Sequence, residues 1–230
     1  MNCVILQPSY IPWRGYFHQI QKADVFVFYD DVQYDKHGWR NRNRIKTQQG
    51  SQWLTIPVLT KGSVEECREI REIAIAWDRP WNRKHLAAIT HSYHKAPYFD
   101  WLCPLLHQSY SLSPARLADF TIALTIELAK WMGLRSTQFV RSSELNIPGC
   151  RTDRLINIVK AVGCDHYVTG PAARNYLEED KFRSQNVTLE YMEYHYPEYP
   201  QLYPLFDPHL SILDLLMMTG GAAPRYIWAS

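Results

Sequence analysis

The stretch ADVFVFYDDVQYDKHGWRNRNRIK, Ala23 to Lys46, decides the fold and marks the candidate site. Its first part, Val25 to Tyr29, is an unbroken apolar run that demands burial, as a strand inside a sheet does. Asp30, Asp31, Gln33, Tyr34, Trp39, Asn41, Arg42, Asn43 and Lys46 follow at once, where the chain should emerge from the strand's end. Ligands of open α/β sheets sit at that edge. The run therefore points to a polar small-molecule or nucleotide-sugar site.

Upstream, Val4 to Leu6 reads as a short strand leading into QPSYIPWRGYF. Pro8 and Pro12 exclude a regular helix before Trp13, so this is an ordered loop. A short helix fits Gly15 to Lys22, and Ala23 and Asp24 then turn the chain into the Val25 strand. Such a strand, loop, helix, strand unit normally makes parallel, right-handed neighbours. Gln7, Tyr10, Trp13, Arg14 and Tyr16 lie on its loop and helix start. Their amide and hydroxyl groups suit neutral polar parts of a ligand.

Downstream, Arg42 to Thr47, a Gln-Gly-Ser turn relieved by Gly50, and Gln52 to Val58 read as a β-hairpin. In extended chain Asn41 and Asn43 face one side, and Arg40, Arg42 and Arg44 the other. The first face could hydrogen-bond a sugar or amide, and the second could clamp a carboxylate or diphosphate. The alternative is a solvated arginine edge that discourages strand pairing.

Helices are predicted over Pro80 to Tyr93, Leu102 to Tyr110 and Ser113 to Met132, the last capped by Ser113 with Pro114 in its first turn. Thr137 to Arg141, Asp165 to Thr169 and Val187 to Tyr191 are strand-like. They alternate with helices at Arg151 to Val162 and Ala172 to Glu179, and Ile212 to Thr219 closes the chain as a helix. The expected fold is α/β and Rossmann-like: a mostly parallel sheet with flanking helices and an inserted β-hairpin, in one domain over 1–230.

The bulk properties narrow the function. Twenty-five Lys plus Arg against 23 Asp plus Glu leave a net charge of +2, which argues against a broad nucleic-acid surface. No apolar stretch approaches the ~20 residues of a membrane helix. Five cysteines without C-x-x-C spacing read as reduced thiols, and the expected location is cytoplasmic. Glu65, Glu66 and Glu69 beside Cys67 argue against a reactive thiolate.

Alternation along the strand sends Asp30 and Asp31 in opposite directions. One could orient a base or bind a cation while the other pairs with Arg40 or Arg42. His85, on a stripe with Trp81 and Ile89, is either a buried, satisfied histidine or a catalytic base. GPAARNYL, with Gly170 and Tyr176, follows a strand and opens a helix, so its backbone N–H groups could bind an anion, although Pro171 fits ordinary capping equally well. One of the two aspartates could hold a metal, but the spacing names no second fixed ligand for it.

Over almost its whole length the chain resembles the WbqC-like protein family. The likeness is carried by QPSYIPWRGYF, ADVFVFYDDVQYDKHGWRNRNRIK, QWLTIPV, KAPYF, FVRSSEL, GPAARNYL, YPEYPQLYPLF and SILDLLMMTGGAAPRYI. The resemblance implies a role in bacterial surface-polysaccharide and O-antigen synthesis, with transfer of a glycyl or other acyl group to a sugar. The order of elements at the front also resembles nucleotidyltransferases of the HIGH type, but PWRGYF stands where their histidines would be.

The leading expectation is thus a transferase acting on a nucleotide-linked sugar, with no cofactor assigned. Arg42 and Lys46 would hold negative charge, Asp31 or His85 would orient or deprotonate the attacking group, and Asn41, Asn43 and Gln7 would bind neutral groups. The alternatives are an ATP-dependent nucleotidyltransferase or ligase using ATP with magnesium, and a non-catalytic sugar-nucleotide-binding or scaffold protein.

Overall fold

The computed structural model describes residues 1–59 and 67–228. Glu65 and Glu66, two of the three glutamates set beside Cys67, lie outside the described residues. Strand β1 (Asn2–Leu6) leads through α1 (Arg14–Lys22) to β2 (Val25–Phe28). An antiparallel pair follows, β3 (Arg42–Thr47) with β4 (Gly50–Thr55), then the two-residue strands β5 (Val58–Leu59) and β6 (Ala74–Ile75). Helices α2 (Trp81–Tyr93), α3 (Phe99–Ser111) and α4 (Leu117–Trp131) precede β7 (Gln138–Arg141). The rest runs α5 (Ser142–Leu145), α6 (Arg151–Ala161), β8 (His166–Thr169), α7 (Glu179–Ser184), β9 (Thr188–Tyr191) and α8 (Ile212–Thr219).

Five strands form one parallel sheet in the order β7-β2-β1-β8-β9. Val4 of β1 pairs with Phe26 on one side and Val168 on the other. The chain is therefore an α/β protein with a parallel sheet and flanking helices.

Alternation along the strands builds two cores. Val4, Phe26, Phe28 and Val168 pack with α1, α2, α3, α4 and α8, whereas Cys3, Ile5, Val25, Val27 and Tyr167 pack with α6 and α7. Period-two side chains buried on both faces explain why β2 reads as a continuous apolar run.

Several boundaries differ from the sequence reading. The helix expected from Ser113 starts at Leu117, because Ala115 and Leu117 first bond the backbone of Ile75 and Ile73, and Ser113 sits at φ 46°. The helix expected at Leu102 begins at Phe99. The helix expected over 172–179 breaks into a 3-10 turn at Pro171–Asn175 and then α7. Leu177 and Phe182, five residues apart, both enter the α6 core, and one continuous helix would place them on different faces. Thr47 pairs with Gly50, so the β3–β4 turn falls on Gln48 and Gln49, and Gly50 takes φ 111° as the first residue of β4.

Candidate functional site

A cavity of about 1050 Å³ opens beyond the carboxyl ends of β1 and β2, beside the place where β1 and β8 are neighbours. Ile5 and Leu6 of β1, Tyr167 of β8 and Leu155 of α6 give it an apolar lining. Pro12, Trp13, Tyr16 and Gln19 come from α1 and the loop before it. Trp39, Arg40, Asn43, Arg44 and His209 make a second wall, and Tyr29, Arg151 and Tyr176 a third. Gln7 and Ser9 complete the lining.

The loop after β1 is held by its neighbours. Buried Ile11 takes φ 38°, a conformation that a β-branched residue resists. Asn43 Nδ2 donates to the Ile11 carbonyl at 2.9 Å and to that of Tyr10 at 3.2 Å. Arg40 Nη1 donates to the carbonyls of Gln7 at 3.2 Å and Pro8 at 3.4 Å, and the Tyr16 hydroxyl also donates to Gln7, at 3.2 Å. Gly15 in the first turn of α1 leaves room for the Trp13 indole, since a Cβ on Gly15 would clash with its Cζ2, Cη2 and Cε2 atoms.

The charge of the cavity is one-sided. Arg40, Arg44 and Arg151 line it, and among the described residues no aspartate or glutamate does. Burial lowers the pKa of Arg40, opposed by Tyr16, Asp35 and Tyr34, and an arginine so shifted remains a cation at neutral pH. Burial likewise raises the hydroxyls of Tyr16, Tyr29 and Tyr176, which stay neutral donors and acceptors. Such a site suits an anion with apolar or ring-shaped parts and neutral polar groups.

Of the residues singled out in the sequence, Gln7, Trp13, Tyr16, Trp39, Asn43 and Tyr176 line this cavity. Arg42 does not; it lies over the Trp53 ring at 4.8 Å and donates to the His37 carbonyl. Asn41 is buried and donates to the Ile56 carbonyl at 2.8 Å. Lys46 is buried too, its Nζ on Gln201 Oε1 at 2.9 Å and on the Leu205 carbonyl, where it fastens the 197–209 loop. Gln33 bridges to Glu69, and buried Tyr34 donates its backbone N–H to Arg68.

Asp30 is fully buried, and its carboxylate accepts from the Ser143 backbone N–H at 3.1 Å, the Ser143 hydroxyl at 3.0 Å and the Ser142 hydroxyl at 3.3 Å. It ties α5 to the end of β2. Asp31 pairs with Arg154 at 2.5 Å, not with Arg40 or Arg42, and also accepts from Ser142. Arg154 comes from the first turn of α6, a long-range partner that local spacing does not reveal. His85 lies in the α2 core, with Nδ1 2.8 Å from the Tyr10 hydroxyl, which in turn meets the Tyr110 hydroxyl. Burial holds the imidazole down at about 4, so it is neutral at pH 7. Gly170 has φ −73°, a value open to any residue.

Sequence reasoning missed Ser9, Gln19, Tyr29, Arg151, Tyr167 and His209. Gln19 was the most legible, being three residues after Tyr16 on the same helix face. Arg151 was hidden by its backbone: it opens α6 at φ 49°, a left-handed start that follows Gly149 and Cys150. His209 arrives from a distant loop.

The comparisons agree with the sequence resemblance. A model of the WbqC-like protein family matches residues 7–226. The uncharacterized protein Rv1507c of Mycobacterium tuberculosis is 39% identical over 232 residues, spanning 97% of this chain and 96% of the relative. No solved structure matches. The chain belongs to the WbqC-like family.

Proposed function

We propose that this member of the WbqC-like family is a sugar-modifying transferase of surface-polysaccharide biosynthesis, which binds a nucleotide-linked sugar in the cavity and moves a glycyl or other acyl group onto it. The observation that carries this reading is the charge of the cavity: three arginines, no carboxylate among the described lining residues, and aromatic walls. The strand order, third-second-first-fourth-fifth along the sheet, supports a Rossmann-like core with its ligand crevice at the strand ends.

In such a transfer, a sugar amine or hydroxyl attacks the acyl carbonyl, the carbonyl π electrons move to oxygen, and collapse of that oxyanion expels the donor's leaving group. Arginine donors would stabilise the oxyanion. The nucleophile's proton needs an acceptor within reach. Among the described lining residues His209 is the single imidazole, and Asp31 and His85 are engaged elsewhere. His209 is therefore the base in this reading.

The same strand order also favours a second reading, an ATP-dependent ligase or nucleotidyltransferase. Incubation with pooled UDP-, GDP- and dTDP-sugars, glycine, ATP with magnesium and acyl donors, followed by mass spectrometry, separates the two. A new acyl mass on one sugar supports the transferase. Pyrophosphate release that requires ATP supports the ligase. A retained sugar nucleotide without any product across these donors would instead support a non-catalytic binding role.

A further inference from the structure

Trp39, which lines the cavity, packs against Trp53, ring centroids 5.3 Å apart and tilted by 33°, and the two are 44% and 45% exposed. Trp53 sits on β4 directly across from Arg44 of β3. The guanidinium carbons of Arg42 and Arg44 lie 4.8 and 5.6 Å from its ring centre. Cation–π contacts of this kind hold both cations in place, and the half-exposed indoles keep open surface.

Neither arginine has an acidic partner among the described residues. Arg42 donates to the His37 carbonyl and Arg44 to the His209 carbonyl, both uncharged. The sequence from 41 to 59 contains no aspartate or glutamate. The face is continuous with the cavity, because Trp39 and Arg44 belong to both. At its other end the 197–209 loop closes over Lys46.

We infer that this outer face of the β3–β4 pair is a second binding site, a platform for an acidic saccharide whose ring faces rest on Trp39 and Trp53 and whose carboxylates meet Arg42 and Arg44. Pyranose C–H faces match half-exposed indoles, and a carboxylate matches a guanidinium's paired donors. Cationic charge without a partner selects an acidic chain over a neutral one. The inference rests on the sugar-modifying reading above and adds to it a second saccharide, held outside the cavity that takes the nucleotide-linked acceptor.

The test is calorimetric titration of the whole protein with trigalacturonate and with neutral maltotriose, with tryptophan fluorescence as a second readout. Trigalacturonate is expected to bind at least about tenfold more tightly than maltotriose. Trp53→Ala should weaken it by about tenfold or more, and Trp53→Phe by much less. Arg42→Gln should weaken trigalacturonate and leave maltotriose unchanged. Equal binding of the two saccharides, no binding of trigalacturonate by the wild type, or tighter binding of a single-stranded oligonucleotide would each overturn the inference. Parallel titrations with UDP-sugars separate the two sites: their failure with trigalacturonate binding intact refutes the cavity reading and not the platform.

Discussion

Asn43 Nδ2 lies 2.9 Å from the carbonyl oxygen of Ile11, a bond between the first residues of the arginine-rich strand and the loop that follows β1. Ile11 is buried with φ 38°, a conformation of order 1–3 kcal/mol above the ordinary basins for such a residue. It persists because the core fixes its side chain and Asn43 fixes its carbonyl. The two stretches that look most unusual in the sequence are thus one structural unit.

Asn43→Ala should therefore lower stability by about 1–3 kcal/mol, since it leaves the Ile11 carbonyl without its donor. Urea denaturation measures it. A loss under about 0.5 kcal/mol would mean the loop holds itself.

Gly15→Ala should displace the Trp13 indole, because the added carbon overlaps the ring. Trp13 lines the cavity and packs edge-on against Tyr194 at 5.0 Å. Nucleotide-sugar affinity should fall about tenfold, as it should in Trp13→Ala. Gly170→Ala is the control: a Cβ there meets nothing nearer than the Tyr194 hydroxyl at 3.4 Å, so stability and binding should hold. Unchanged affinity in Gly15→Ala would remove Trp13 from the site.

Asp31 and Arg154 form a pair whose side chains are 9% and 15% exposed. Removing one partner of such a pair costs about 3–5 kcal/mol, because the other charge stays buried. Asp31→Ala should lose stability on that scale, visible as a large drop in Tm. A folded Asp31→Ala protein of near wild-type stability that has lost all transfer activity would instead make Asp31 a catalytic group.

Two buried groups oppose each other in acid. His85 is held down at about 4 by burial, against about 6.5 unfolded, so the unfolded chain binds its proton first and stability is lost as pH falls from about 6.5 to 4. Asp214 is raised to about 6 by burial despite the hydrogen bond from Tyr93, so its contribution is present below its unfolded value and lost as pH rises through about 6. Each shift corresponds to about 3 kcal/mol. Relative to wild type, Asp214→Asn should lose stability more steeply on acidification, and His85→Gln less steeply. Identical slopes in the three proteins, read from denaturant midpoints across pH 4 to 7, would contradict both assignments.

The parallel sheet and its flanking helices were legible because period-two burial leaves apolar runs such as Val25 to Tyr29, and because Gly163 and Gly170 punctuate the second half. Ser113 misled because a good capping residue was instead used to turn the chain into contact with Ile73 and Ile75. Within the site, Gln7, Trp13, Tyr16 and Asn43 were visible as polar and aromatic residues next to strand ends. What was not visible is tertiary or conformational: that Arg154 answers Asp31, that Lys46 turns away under the 197–209 loop, and that Arg151 itself takes a left-handed backbone at the start of α6.

The cavity's cationic lining is tested most directly by native mass spectrometry of the wild type and of Arg44→Gln and Arg151→Gln, each with pooled UDP-, GDP- and dTDP-sugars. The wild type should retain one sugar nucleotide at one per chain, and each substitution should weaken it about tenfold or more, the scale of a lost charged hydrogen bond. Retention of none by the folded wild type, or equal retention by all three proteins, would contradict an anionic nucleotide-sugar site in this cavity.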